Sequence, residues 1–133
     1  MRLKLMLIMS TILLNTAVYG GEKMKNQEKA TIAVTITIKA KKGKSDELSN
    51  LLSGASEIVQ STEPGTLFWY ATKVNEDTFT INDGFSSELA LQAHFNGKVA
   101  AALKSKASEL VQGGWEQGVL PNIVRADILS IID

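Results

Sequence analysis

The sequence contains no cysteine, which excludes disulfides, thiolate nucleophiles and thiolate metal sites together. It has one histidine, His94, so a metal centre would rest on carboxylates, and these are scattered along the chain. No metal site is expected. Charge of one sign is also missing: 14 Lys+Arg stand against 14 Asp+Glu, which argues against a nucleic-acid stripe or an acidic tail. The cluster of Lys39, Lys41, Lys42 and Lys44 has no matching stripe elsewhere and reads as a solvated turn, so nucleic acid is not an expected partner. A neutral small molecule or another protein surface fits better. No internal repeat or low-complexity tract occurs, and 133 residues with 44% hydrophobic content suit a single core.

The amino end reads as a leader. Met1-Arg2-Leu3-Lys4 is basic, residues 5–18 are apolar, and Tyr19-Gly20-Gly21 ends on small residues, the three parts of a secretory signal. Residues 1–21 are therefore expected to direct export to the periplasm or beyond. The apolar run is interrupted by Ser10, Thr11 and Asn15 and is shorter than the roughly 20 residues of a spanning helix, so no stable membrane anchor is expected. A start at Met24 would instead leave a cytoplasmic protein. Residues 22–30 are polar and aperiodic, a flexible lead-in to a domain over 31–133.

Ile32, Val34, Ile36 and Ile38 alternate with Thr31, Ala33, Thr35 and Thr37, which predicts a first strand with one apolar and one threonine-lined face. After Lys41-Lys42-Gly43-Lys44, the stripe Leu48, Leu51, Leu52, Ala55, Ile58 and Val59 predicts a helix from Ser45 that packs on a sheet. Glu63-Pro64-Gly65 ends it. Residues 66–74 form a second, aromatic-rich strand, and Asn75-Glu76-Asp77 turns the chain into a third, 78–85. Ser86 and Ser87 are placed to cap a following helix, and Glu88 complements its dipole. Asn96-Gly97 breaks that helix, whose apolar pattern resumes from Lys98 through Val111. Trp115 to Leu120 reads as a connection and 122–132 as a last strand.

This order, βαββαβ, predicts an α+β, ferredoxin-like fold: a four-stranded antiparallel sheet with helices on one face. In the second strand either parity exposes large side chains, Leu67 and Trp69 on one face or Phe68 and Tyr70 on the other. A bare sheet face carrying two aromatics is a patch that monomers avoid, so a second subunit is expected to cover it, giving a homodimer.

Chemistry is most legible between Asp83 and His94. The seven residue steps from Ser87 to His94 advance about 10 Å along a helix, the span of about three strand residues, so a helix folding straight back would lay His94 over Asn82 or Asp83. The spacing Asp83-x-Phe85-x-Ser87-x-x-Ala90-x-x-x-His94, preceded by Pro64-Gly65-Thr66-Leu67 and by Phe79-Thr80-Ile81, resembles the antibiotic-biosynthesis monooxygenase family of dimeric α+β barrels. Asp83 stands where that family has a glutamate and Phe85 where it has tryptophan or tyrosine, while Ala90 and His94 match. The resemblance implies a cofactor-independent monooxygenase acting on a small aromatic or quinol-like compound. His94 would be the catalytic base or hydrogen-bond donor, Asp83 would orient it, and Trp69, Tyr70 and Phe85 would bind a flat ring. Haem breakdown fits poorly, since the tryptophan and asparagine that the family's haem degraders use are missing. The structural reading of the same residues makes His94 and Asp83 a helix-to-sheet contact and the aromatics core or dimer interface. From a different class, the alternative function is a non-catalytic dimeric binding protein for a small apolar ligand.

Overall fold

The computed structural model describes residues 28–132. The signal-like segment and most of the lead-in lie outside the described residues. Among those described, no helix is long and apolar enough to cross a membrane.

The elements follow in the order β1 (Ile32–Lys39), α1 (Ser45–Ser53), α2 (Ala55–Thr62), β2 (Thr66–Lys73), β3 (Thr78–Phe85), α3 (Glu88–Phe95), α4 (Lys98–Leu110), and β4 (Ile123–Asp127). The four strands form one sheet in the order β2-β3-β1-β4, and every neighbouring pair is antiparallel. This is the ferredoxin-like α+β arrangement that the strand and helix periods predict.

The two-residue period of β1 decides its faces: Ile32, Val34, Ile36 and Ile38 are buried under the helices, while Ala33, Thr35 and Thr37 lie on the other side. Phe79, Ile81, Asp83 and Phe85 of β3 face the helices with them. From the helices come Leu48 and Leu52 of α1, Leu91 of α3, and Leu103, Ala107 and Leu110 of α4. Each fully buried large apolar side chain contributes about 1.5–3 kcal/mol, so this one layer of contact holds sheet and helices together. Trp69 also packs inward, and Phe68 and Tyr70 point outward, which resolves the parity that β2 leaves open in sequence.

Four expectations are corrected. The helix from Ser45 is two helices, divided at Gly54, whose N–H still bonds back to the carbonyl of Asn50; a glycine costs about 1 kcal/mol inside a helix and is a natural point for the break. Ile58, counted in the apolar stripe, is 41% exposed. The connection after Gly113-Gly114 is a wide π-helical turn (Gly114–Val119) followed by a 3-10 turn (Leu120–Asn122). The last strand ends at Asp127 rather than running to residue 132. Asp127 pairs with Ile32, the first residue of β1, so the partner strand ends there and only the Ile128 N–H to Thr31 carbonyl bond lies beyond it.

Candidate active site

Three local features bring distant residues together beneath the sheet. Ser87 caps α3, its Oγ accepting from the Ala90 N–H at 3.1 Å, and so fixes the direction in which the helix turns back over β3. Ala90 then sits against the entrance of β2: a Cβ on Gly65 would stand 2.8 Å from the Ala90 Cβ. Only two small residues permit that approach, and it draws the turn carrying Glu63 onto α3. Asp83 is contributed by β3, with Trp69 of β2 and Val34 of β1 as its cross-strand neighbours.

The result is a carboxylate–imidazole–carboxylate array. His94 Nδ1 lies 2.6 Å from Glu63 Oε1, which also accepts from the Thr66 hydroxyl at 2.8 Å. His94 Nε2 lies 3.2 Å from Asp83 Oδ2, close enough for an ion pair but without the alignment of a hydrogen bond. His94, Glu63 and Asp83 are 5%, 7% and 1% exposed. The rings of Phe85 and Phe95 flank the imidazole at 5.4 and 5.8 Å between centroids.

Burial is the largest influence on Asp83 and pushes its carboxyl above the ordinary 3.8, with His94 opposing the rise. For His94, burial favours the neutral ring, yet Asp83 and then Glu63 together outweigh it and raise the imidazole above its usual 6.5. Nε2 faces Asp83 without a hydrogen bond to it, so the two carboxylates favour the ring's charge together, a property of the array rather than of any one group. The array therefore favours the charged ring. It is suited to donating a hydrogen bond or stabilising an anion, and less suited to removing a proton.

His94 also lines a small, partly open cavity of about 30 Å³ with Trp69, Phe95, Leu103, Trp115 and Val119, which is room for about one or two water molecules. A planar ring can enter only if the aromatic wall moves. The larger groove along α1 and β2, about 350 Å³, is open and holds neither carboxylate nor imidazole. Among the described residues no group of three or more acidic, histidine or cysteine side chains is arranged to hold a metal ion.

Of the residues singled out from sequence, the fold gathers Trp69, Asp83, Phe85 and His94. Tyr70 is not with them. It stacks on Phe68 on the outer face at 6.3 Å and is 53% exposed, because successive strand residues alternate sides. Trp69, Tyr70 and Phe85 therefore cannot form one sandwich, and Phe85, wholly buried, backs the histidine instead of lining the cavity. Glu63 was absent from the sequence-derived set, since Glu-Pro-Gly reads as a helix end. A signal does exist there: a carboxylate at a helix C-terminus opposes the dipole and calls for a cationic partner.

Gly97 guards this geometry. A Cβ there would stand 2.3 Å from Glu63 Oε2, so Gly97→Ala is expected to push the carboxylate off His94. The pH at which the sole histidine titrates should then fall, followed by the NMR shift of its ring protons; an unchanged titration would show that Glu63 had kept its place.

A family model for antibiotic biosynthesis monooxygenases matches residues 31–106, more than half of the chain. Among solved structures, a protein of unknown function from Nitrosomonas europaea is 30% identical, with 80% of this chain and 96% of that one covered and a TM-score of 0.70. A protein from Pseudomonas aeruginosa (17% identity, 80% and 99% covered, TM-score 0.58) and a candidate antibiotic biosynthesis monooxygenase from Chloroflexus aurantiacus (13% identity, 78% and 98% covered, TM-score 0.59) share the fold. No functionally curated protein matches. With more than half of its length matched by that family model, the chain belongs to the antibiotic biosynthesis monooxygenase family.

Proposed function

We propose that the protein oxygenates a small, electron-rich aromatic of the quinol type without a cofactor, with His94 as the hydrogen-bond donor to the substrate anion. The observation that carries this reading is the buried Glu63–His94–Asp83 array at the wall of an apolar, aromatic-lined cavity. A quinol and dioxygen balance to a hydroxyquinone and water, so the substrate supplies all the electrons. The quinol binds as its anion, having lost one hydroxyl proton, and the imidazolium stabilises that negative oxygen. One electron passes to dioxygen, and the two radicals join through a new carbon–oxygen bond. Protonation gives a hydroperoxide. The ring carbon then loses its hydrogen as a proton, the oxygen–oxygen bond breaks, and hydroxide with that proton departs as water, leaving a carbonyl. Exclusion of bulk water strengthens each of these charge interactions.

Oxygen uptake with a panel of quinols and phenols tests the proposal. One dioxygen should be consumed per hydroxyquinone formed, with no hydrogen peroxide released. Absence of turnover with every compound would overturn it, and saturable binding without turnover would make the protein a carrier of a small apolar ligand.

The same reading includes a second copy of the chain across the outer sheet face. Phe68, Tyr70 and Val124 stand there beside Thr35, Thr37 and Ala126, and Tyr70 and Val124 are more than half exposed. Burial of that patch would remove an apolar surface from water. Sedimentation showing only monomer at micromolar concentration would refute the dimer.

A further inference from the structure

The buried polar side-chain atoms without a hydrogen-bond partner among the described residues are Glu63 Oε2, both carboxylate oxygens of Asp83, and Trp69 Nε1. All belong to one neighbourhood. Glu63 and Asp83 bracket His94, Trp69 is the direct cross-strand partner of Asp83, and Trp69 and His94 line the same cavity. Most buried polar atoms in proteins are paired, and a cluster of orphans needs a reason. Three of these four atoms are acceptors. The fourth, the indole N–H, can only donate.

We infer that Trp69 is a specificity-determining residue whose indole N–H donates to a ring oxygen of the bound compound. This deepens the proposed function and rests on it. In the pleated sheet the side chains of Trp69 and Asp83 leave the same face with Cβ atoms about 4.5–5.5 Å apart, so the indole stands beside the carboxylate that holds His94. An anionic or carbonyl oxygen entering the cavity then meets two N–H donors of different kinds, a neutral indole and a cationic imidazole. A ring without such an oxygen leaves the indole N–H unpaired and gains only apolar contact. The site therefore selects rings that carry an oxygen over rings that offer only apolar contact. This assigns Trp69 a polar task as well as a wall, and phenylalanine, smaller and without an N–H, could perform only part of the second.

The test uses hydroquinone and p-xylene, which differ by hydroxyl against methyl at the same positions, without oxygen present so that no turnover occurs. In 15N-labelled wild-type protein the Trp69 indole N–H resonance should move downfield with hydroquinone and stay in place with p-xylene. Trp69→Phe should weaken hydroquinone binding about tenfold or more, as expected for loss of a hydrogen bond to a charged acceptor, and weaken p-xylene binding by clearly less, since that ligand loses only apolar contact. Equal loss for both ligands, or no loss for either, would reduce Trp69 to an apolar wall while leaving the role of His94 intact. Failure of the wild-type protein to bind hydroquinone at all would overturn both this inference and the proposed function.

Discussion

Replacing His94 with alanine is expected to destabilise the protein by about 3–5 kcal/mol, the usual cost of removing one partner from a buried charge pair. Glu63 and Asp83, 7% and 1% exposed, would be left facing one another with no cation between them. The loss measured by urea unfolding should depend on pH in a definite sense. In the wild type the folded-state pKa of His94 lies above 6.5, so the folded protein holds that proton more tightly than the unfolded chain. The stabilisation is complete below about 6.5 and is lost as pH rises through the folded value. Asp83 is also raised, from 3.8, and likewise favours the fold less as pH climbs through its own window. In His94→Ala the alkaline loss near the histidine window should vanish. Stability should instead recover on acidification as the stranded Asp83, whose carboxyl burial already holds above 3.8, takes up its proton. A stability difference between the two proteins that stayed constant from pH 4 to 9 would show that the array is not ionised as described.

How much of this site the sequence disclosed depends on separation along the chain. Asp83, Ser87, Ala90 and His94 lie within one strand-to-helix corner, where the helical rise lays His94 over Asn82 or Asp83 once the helix folds straight back along its strand. Glu63 comes from 31 residues away, and its position depends on the packing of Ala90 against Gly65, a tertiary contact that no local period encodes. Trp69 and Tyr70 show another limit. Four large residues in succession, Leu67 to Tyr70, give the same pattern in either parity, and only the register with Asp83 decides that Trp69 faces inward. The overlong last strand has a similar origin: Ile128, Leu129, Ile131 and Ile132 look strand-like, yet Leu129 and Ile132 are more than nine-tenths exposed. Propensity proposes a strand, and the length of the neighbouring strand determines where it stops. The strands β1 and β3 were legible in full because one face of each is uniformly apolar apart from Asp83, the exception that marks the site.

On the proposed chemistry, His94→Gln should lower kcat for quinol oxygenation by about 10²–10³-fold, the range found when a donor to a developing anion is removed. Glutamine can keep a hydrogen bond within the array while losing the cationic charge, so it separates catalysis from folding better than alanine does. The pH profile distinguishes the two possible roles of the ring. If His94 were a base, activity would rise as it lost its proton. As a donor it must remain protonated, and because its pKa is raised above 6.5, turnover should persist beyond the pH at which a free histidine loses its proton and decline only as pH passes the higher folded value. That alkaline limb should be missing from the residual activity of His94→Gln. A wild-type profile that climbed through the histidine titration, together with unchanged kcat in the variant, would remove His94 from the reaction and leave the array a structural clasp between α3, β3 and the turn at Glu63.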